Sequence, residues 1–157
     1  MIVVIFILYG VRAMSLGDIG KVCLFSKMTG IITLDGKPVV NARLIRTVNL
    51  SKPEVDETRT DENGYFEFPA IFKRTIAKHL PQEFASNQDI IVHYQGKQYS
   101  IWSSVKRTPD ENSESRGKPL DVKCELNSDE KIIKVNNSPI FTLCTWDVEQ
   151  DKRRKAF

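Results

Sequence analysis

Apolar and polar residues alternate along most of the chain in short runs separated by turn residues, which is the pattern of β-strands half buried in a sheet. Lys21–Phe25 is a short β-prone run, and Thr29–Leu34 follows it into Asp35-Gly36-Lys37-Pro38. There glycine supplies a positive φ and proline removes a ladder donor. The next strand is expected over Val39–Val48, with Val40, Ala42 and Leu44 on one face and Val39 and Ile45 on the other. Arg46 interrupts the apolar face, which predicts a strand end or a bulge there. Asn49–Glu57 is polar with Pro53 at its middle and reads as a loop, and Thr58–Thr60 as a strand end. Asp61-Glu62-Asn63-Gly64 is the strongest turn signal, because Asn-Gly favours tight hairpins. Tyr65–Phe68 leaves that turn with Phe66 and Phe68 on one side.

Farther on, Phe72, Ile76 and Leu80 recur at helical spacing among Lys73, Arg74, Lys78 and His79. Ile71–Phe84 is therefore expected to be an amphipathic helix of two or three turns stopped by Pro81, the alternative being a strand running on from Phe68. Asp89–Val105 reads as a hairpin. Ile90, Val92 and Tyr94 run into a Gly96-Lys97 turn, and Tyr99 and Ile101 return on the same face. Ile91, His93, Ser100 and Trp102 are expected on the other face. Lys106–Lys118, charged and Ser-rich, reads as a mobile, solvated surface loop. Leu120–Leu126, Lys131–Val135 and Ile140–Trp146 complete the strands.

Seven or eight such strands with one short helix predict an all-β fold, an antiparallel Greek-key sandwich forming one domain over residues 19–148. An apolar segment, residues 1–13, precedes it and a basic tail, residues 149–157, follows. With 157 residues and 41% hydrophobic content there is material for a core without metals or cofactors, and none is expected. The 23 basic and 20 acidic residues nearly balance, which speaks against nucleic acid as a partner. The one basic cluster, Lys152, Arg153, Arg154 and Lys155, reads as a frayed tail.

The three cysteines, Cys23, Cys124 and Cys144, include no C-x-x-C pair, and the odd count argues against a disulfide framework and a zinc site. Cys124 lies on the apolar side of its strand as a small hydrophobe, and a Cys124–Cys144 bridge is left open if the protein is exported. Ile2–Tyr9 is too short an apolar run to cross a membrane. It is either an export signal or anchor, placing the protein in the periplasm or on the inner membrane, or sequence upstream of a true start at Met14, leaving it cytoplasmic. Membrane contact is expected only in the first case.

One stretch resembles a known module. Thr29-Gly30 with Ile32, Gly36-Lys37-Pro38-Val39, Asn41-Ala42-Arg43 and Thr60-Asp61-Glu62-Asn63-Gly64-Tyr65-Phe66 follow the spacing of the carboxypeptidase regulatory-like domain, in the transthyretin (prealbumin)-like group of sandwiches. The match covers residues 29–72. The chain as a whole also resembles small stand-alone bacterial proteins of this type. The resemblance implies the fold and an accessory or adaptor role, and some transthyretin-like modules accompany bacterial secretion systems.

Enzymes built on related sandwiches are not matched. Hydroxyisourate hydrolases end in Tyr-Arg-Gly-Ser, whereas this chain ends Lys155-Ala156-Phe157. The tyrosine and histidine iron set of intradiol dioxygenases would have to come from Tyr65, Tyr94, Tyr99, His79 and His93, with no His-x-His spacing. No catalytic set stands out, so the expected function is non-enzymatic protein binding, as an adaptor or an immunity protein of a bacterial secretion system. The alternatives are an envelope structural or carbohydrate-binding module, and a hydrolase with an unfamiliar site. The partner surface is expected on Phe72, Lys73, Arg74, Lys78 and His79, a basic amphipathic stripe, and on the hairpin, where His93 beside Trp102 would line a small-ligand site.

Overall fold

The computed structural model describes residues 20–74 and 84–154. Its strands are β1 (Lys21–Phe25), β2 (Met28–Leu34), β3 (Lys37–Pro38), β4 (Arg43–Asn49), β5 (Pro53–Arg59), β6 (Tyr65–Phe68) and β7 (Ile71–Arg74), then β8 (Ser86–Tyr94), β9 (Lys97–Lys106), β10 (Leu120–Glu125), β11 (Lys131–Val135), β12 (Ser138–Thr142) and β13 (Cys144–Trp146). One sheet runs β11-β12-β9-β8-β4-β5. The second runs β13-β10-β2, with β3 and β6 both paired to β2, and β1 and β7 form a separate ribbon. The pairs are antiparallel except for β2 with β10, which run parallel. Inward residues of the two sheets meet in one core, Leu44, Val48, Ile90, Val92 and Trp102 from the first and Met28, Ile32, Phe66, Phe68 and Val122 from the second. The fold is an all-β sandwich of two sheets.

Several expectations are corrected. Ile71–Arg74 is a strand and not the start of a helix: Lys21 to Phe25 pairs with it, and that ladder satisfies its backbone groups. Residues 75–83 of the expected helix lie outside the described residues, Phe84 is not helical, and the helical structure that is described is a 3-10 turn at Ser113–Ser115. The supposed loop 49–57 is largely β5. It shows no apolar inward phase, its one aliphatic residue Val55 facing outward, because an edge strand needs a partner on one side only, and Pro53 occupies its first position, where a missing N–H is tolerated. Arg46 neither ends nor bulges β4, which keeps continuous register with β5 and β8. Val39 is buried and Val40 exposed, since Asn41 takes a left-handed φ and resets the alternation before Ala42.

A bulge matters most. Ile90 pairs with Trp102 and Ile91 with Ser100, so Ile101 is the extra residue on β9. Both Ile101 and Trp102 therefore face the core, and Trp102 is not on the His93 side. The run Ile140–Trp146 is broken at Leu143, where the chain leaves one sheet for the other. Thr142 Oγ1 holds the corner, donating to Ile101 O at 2.7 Å and accepting from Cys144 N–H at 2.9 Å. Cys124 and Cys144, directly opposed on β10 and β13, form a disulfide, so Cys124 is not a free thiol.

Candidate functional site

The residue types that carry chemistry gather first around Glu114. Its Oε1 accepts from Ser26 N–H at 3.2 Å and Gln88 Nε2 at 3.0 Å, and its Oε2 from Ser26 Oγ at 2.6 Å. Lys106 Nζ stands 3.9 Å away and donates to Thr108 O at 2.9 Å, to Asp110 O and to Ser113 Oγ. Trp102 Nε1 donates to Gln88 Oε1 at 3.1 Å, and Trp146 Nε1 to the Glu114 carbonyl at 3.1 Å. The loop after β9 is thus strapped to the core, not solvated and mobile as its composition suggests: Glu114 and Ser115 are buried. Cys23 Sγ lies 3.7 Å from Ser26 Oγ, and burial pushes its thiol pKa up, away from the reactive thiolate. A serine, a glutamate, a lysine and a cysteine are together here, but the adjoining cavity is about 20 Å³, room for a single water. The network's donors and acceptors are spent on holding the loop.

The residues expected to bind a partner are scattered. Phe72 is exposed on β7 with Lys21 Nζ 4.4 Å from its ring centre, and Lys73 Nζ reaches Ser51 Oγ at 3.4 Å. Arg74 is exposed at the end of the same strand. Lys78 and His79 lie outside the described residues. His93 is half-buried on the outer face of β8, opposite Arg43 and Gln98, whereas Trp102 is wholly inside. His93 and Trp102 therefore occupy opposite faces of the sheet and line no common site.

A different surface stands out on the outer face of the six-stranded sheet. One cross-strand row reads Ile132, Phe141, Ser103, Asp89, Thr47 and Val55 from β11 to β5. Ile132 is 59% exposed and Phe141 38%, and they are direct partners across β11 and β12. A groove of about 240 Å³ adjoins Phe141, lined also by Pro139, Val105, Asn87, Asp89 and Arg107. On the other side of Ile132 lies a cleft of about 670 Å³ bounded by Lys134, Asn137 and residues 150–154.

The chain before the basic cluster is anchored there at Asp151. The Asp151 carboxylate accepts from Asn137 N–H at 2.7 Å, Asn136 N–H at 2.9 Å and Arg116 Nη2 at 2.5 Å, and its own N–H donates to Lys134 O at 2.8 Å. The turn amides, Asn137 first, hold its pKa below the ordinary aspartate value. Lys134, Lys152, Arg153 and Arg154 thus rim an apolar patch. The sequence carried a sign of it. Ile132 and Ile133, like Ile140 and Phe141, put apolar side chains on both phases of a strand, so that one of each pair must face outward.

A family model described as Domain of unknown function (DUF6795) matches residues 28–129. No curated protein and no solved structure matches the chain.

Proposed function

Because the chain belongs to the DUF6795 family, a domain of unknown function, we propose its role from its own surface: it is a protein-binding β-sandwich that docks through the outer face of β11, β12 and β9. The observation that carries this reading is the exposed Ile132–Phe141 pair, two large apolar side chains in direct cross-strand contact with a cationic rim beside them. The buried Glu114 network and its water-sized cavity favour binding over catalysis as the use of this scaffold. The resemblance of residues 29–72 to carboxypeptidase regulatory-like modules, which serve as accessory domains, supports the same reading. The narrower form of this reading is an adaptor or immunity role beside a bacterial secretion system. The Cys124–Cys144 bridge supports residence in an oxidising compartment.

The test uses the native cell. Ile132→Glu and Phe141→Glu should each abolish co-purification of the partner, while Val55→Glu, at the far edge of the same row, should not. Equal recovery with all three variants would refute the surface.

A second reading, saccharide binding, is favoured by the Phe141 groove. An exposed ring there adjoins Asn87, Asp89 and Arg107, whose side chains make no hydrogen bond among the described residues. Titration with chitotriose and maltotriose, monitored at the Phe141 ring, separates the two.

A further inference from the structure

Among the described residues no strand pairs with the outer side of β11, which edges the six-stranded sheet beside the basic cleft. The β11–β12 hairpin closes on Asn136 and Asn137, both at positive φ, between the flanking pair Val135 and Ser138. In a two-residue hairpin that flanking pair is hydrogen-bonded, and the pairs then alternate. Lys134 and Ile132 therefore turn their backbone groups away from β12. Two observations agree. The residue opposite Lys134 is Pro139, which has no N–H to give, and Lys134 O accepts from Asp151 N–H on the outer side. The chain's own tail has taken one position of the edge. The next outward-facing residue, Ile132, receives no backbone hydrogen bond from that side among the described residues. The cleft of about 670 Å³ lies against it.

Resting on the protein-binding reading above, we infer that this cleft receives an extended acidic segment of the partner, which adds to β11 as a further strand. Strand addition gives affinity through main-chain bonds and selectivity through alternate side chains. Here Ile132 offers an apolar contact on the outer face. Lys134, Lys152, Arg153 and Arg154 supply a positive field that Asp151, already held by Arg116, does not cancel. A basic or neutral segment would gain nothing from that field. A second copy bringing its own β11 here would set these cations against their counterparts, like charge facing like.

The probe is a capped nine-residue peptide alternating Glu and Val, titrated into the ¹⁵N-labelled protein at low salt. The amides of Ile132 and Lys134 should shift, and those of β5 should not. A peptide with Lys in place of Glu, the same Glu peptide N-methylated on alternate residues, and the Lys134→Glu/Lys152→Glu variant should each weaken binding by about tenfold or more. Binding should also fade as salt is raised. Shifts confined elsewhere overturn the inference, and so does N-methylation without effect, since main-chain bonds are its core. Sedimentation of the protein alone covers the remaining occupant: a mass that rises with concentration and is lost on Glu54→Lys/Glu57→Lys would assign the edge to β5 of a second copy, and overturn it too. If the peptide fails while Phe141→Glu still abolishes partner recovery, strand addition is wrong and the docking face stands.

Discussion

Arg46 and Asp56 face each other across β4 and β5, and the guanidinium donates through Nε at 2.9 Å and Nη2 at 2.6 Å to the two carboxylate oxygens. The Arg46 side chain is fully buried, with the rings of Phe68 and Phe25 at 4.5 and 5.0 Å and Pro69 O accepting from Nη2 at 2.7 Å. The cation is tolerated in the core because a carboxylate, two aromatic faces and a carbonyl replace most of its water, with Nη1 left buried and without a hydrogen-bond partner among the described residues. The pair also ties the charged edge strand β5 to the interior, and inward charges of this kind blunt an edge against unwanted pairing.

Asp56→Asn leaves that cation without its counter-charge. It should lower stability by about 2–4 kcal/mol, read as a fall in the urea midpoint at unchanged slope. Replacing both partners, Arg46→Met with Asp56→Asn, should recover most of the loss, because an apolar side chain of similar length fills the same space.

Glu114→Gln keeps the shape but removes the charge that Ser26, Gln88 and Lys106 converge on. A loss of about 1–3 kcal/mol is expected, and amides of residues 112–118 should exchange faster before any core strand does. If the loop were merely solvated, exchange there would be fast already in the parent protein.

The Cys124–Cys144 bridge closes a loop with a sequence separation of 20. Chain-entropy reasoning gives it about 3 kcal/mol, so Cys124→Ala/Cys144→Ala should lower the thermal midpoint markedly, and reductant should do the same to the parent protein only.

Acid should weaken the fold through two carboxylates. Glu125 accepts from Asn127 N–H, Gly36 N–H and Thr33 Oγ1, and the first two hold its pKa below the usual glutamate value, as the turn amides do for Asp151. A depressed folded-state pKa contributes stability above the unfolded-state pKa and loses it as pH falls through the folded one. Glu125→Gln and Asp151→Asn should therefore flatten the stability–pH curve below about pH 4 and leave its slope near neutrality unchanged.

Gly64 and Gly36 both sit at positive φ, but a methyl group on Gly64 would come 2.4 Å from Ile32 O, while one on Gly36 would meet nothing within 4 Å. Gly36→Ala should cost about 1 kcal/mol of backbone strain, and Gly64→Ala clearly more, as measured by thermal unfolding.

Much of the fold was legible beforehand. The turns at Gly36 and Gly64 lie where glycine and asparagine marked them, the third turn falls on Gln95-Gly96 and not on Gly96-Lys97 because Lys97 already pairs with Tyr94, and the inward sets Phe66/Phe68 and Ile90/Val92/Ile101 are as their alternation implied. What escaped was long-range in origin. β5 is mostly polar, with no apolar alternation to announce it, and became a strand only because β4 offers it a ladder. Phe72 sits at helical spacing, but its stretch is drawn into pairing with β1. The docking patch was missed for the same kind of reason, since Ile132 and Phe141 meet only when β11 and β12 take their register.

By itself the sequence determined the class of structure and the positions of its tight turns, because alternation and left-handed φ are properties of neighbouring residues. Only the tertiary structure decided that Trp102 turns inward, that Glu114 locks its loop, that Arg46 stays in the core and that Asp151 docks on β11. Each depends on a partner distant in the chain, and desolvation makes a polar group's place depend on whether that partner is within reach.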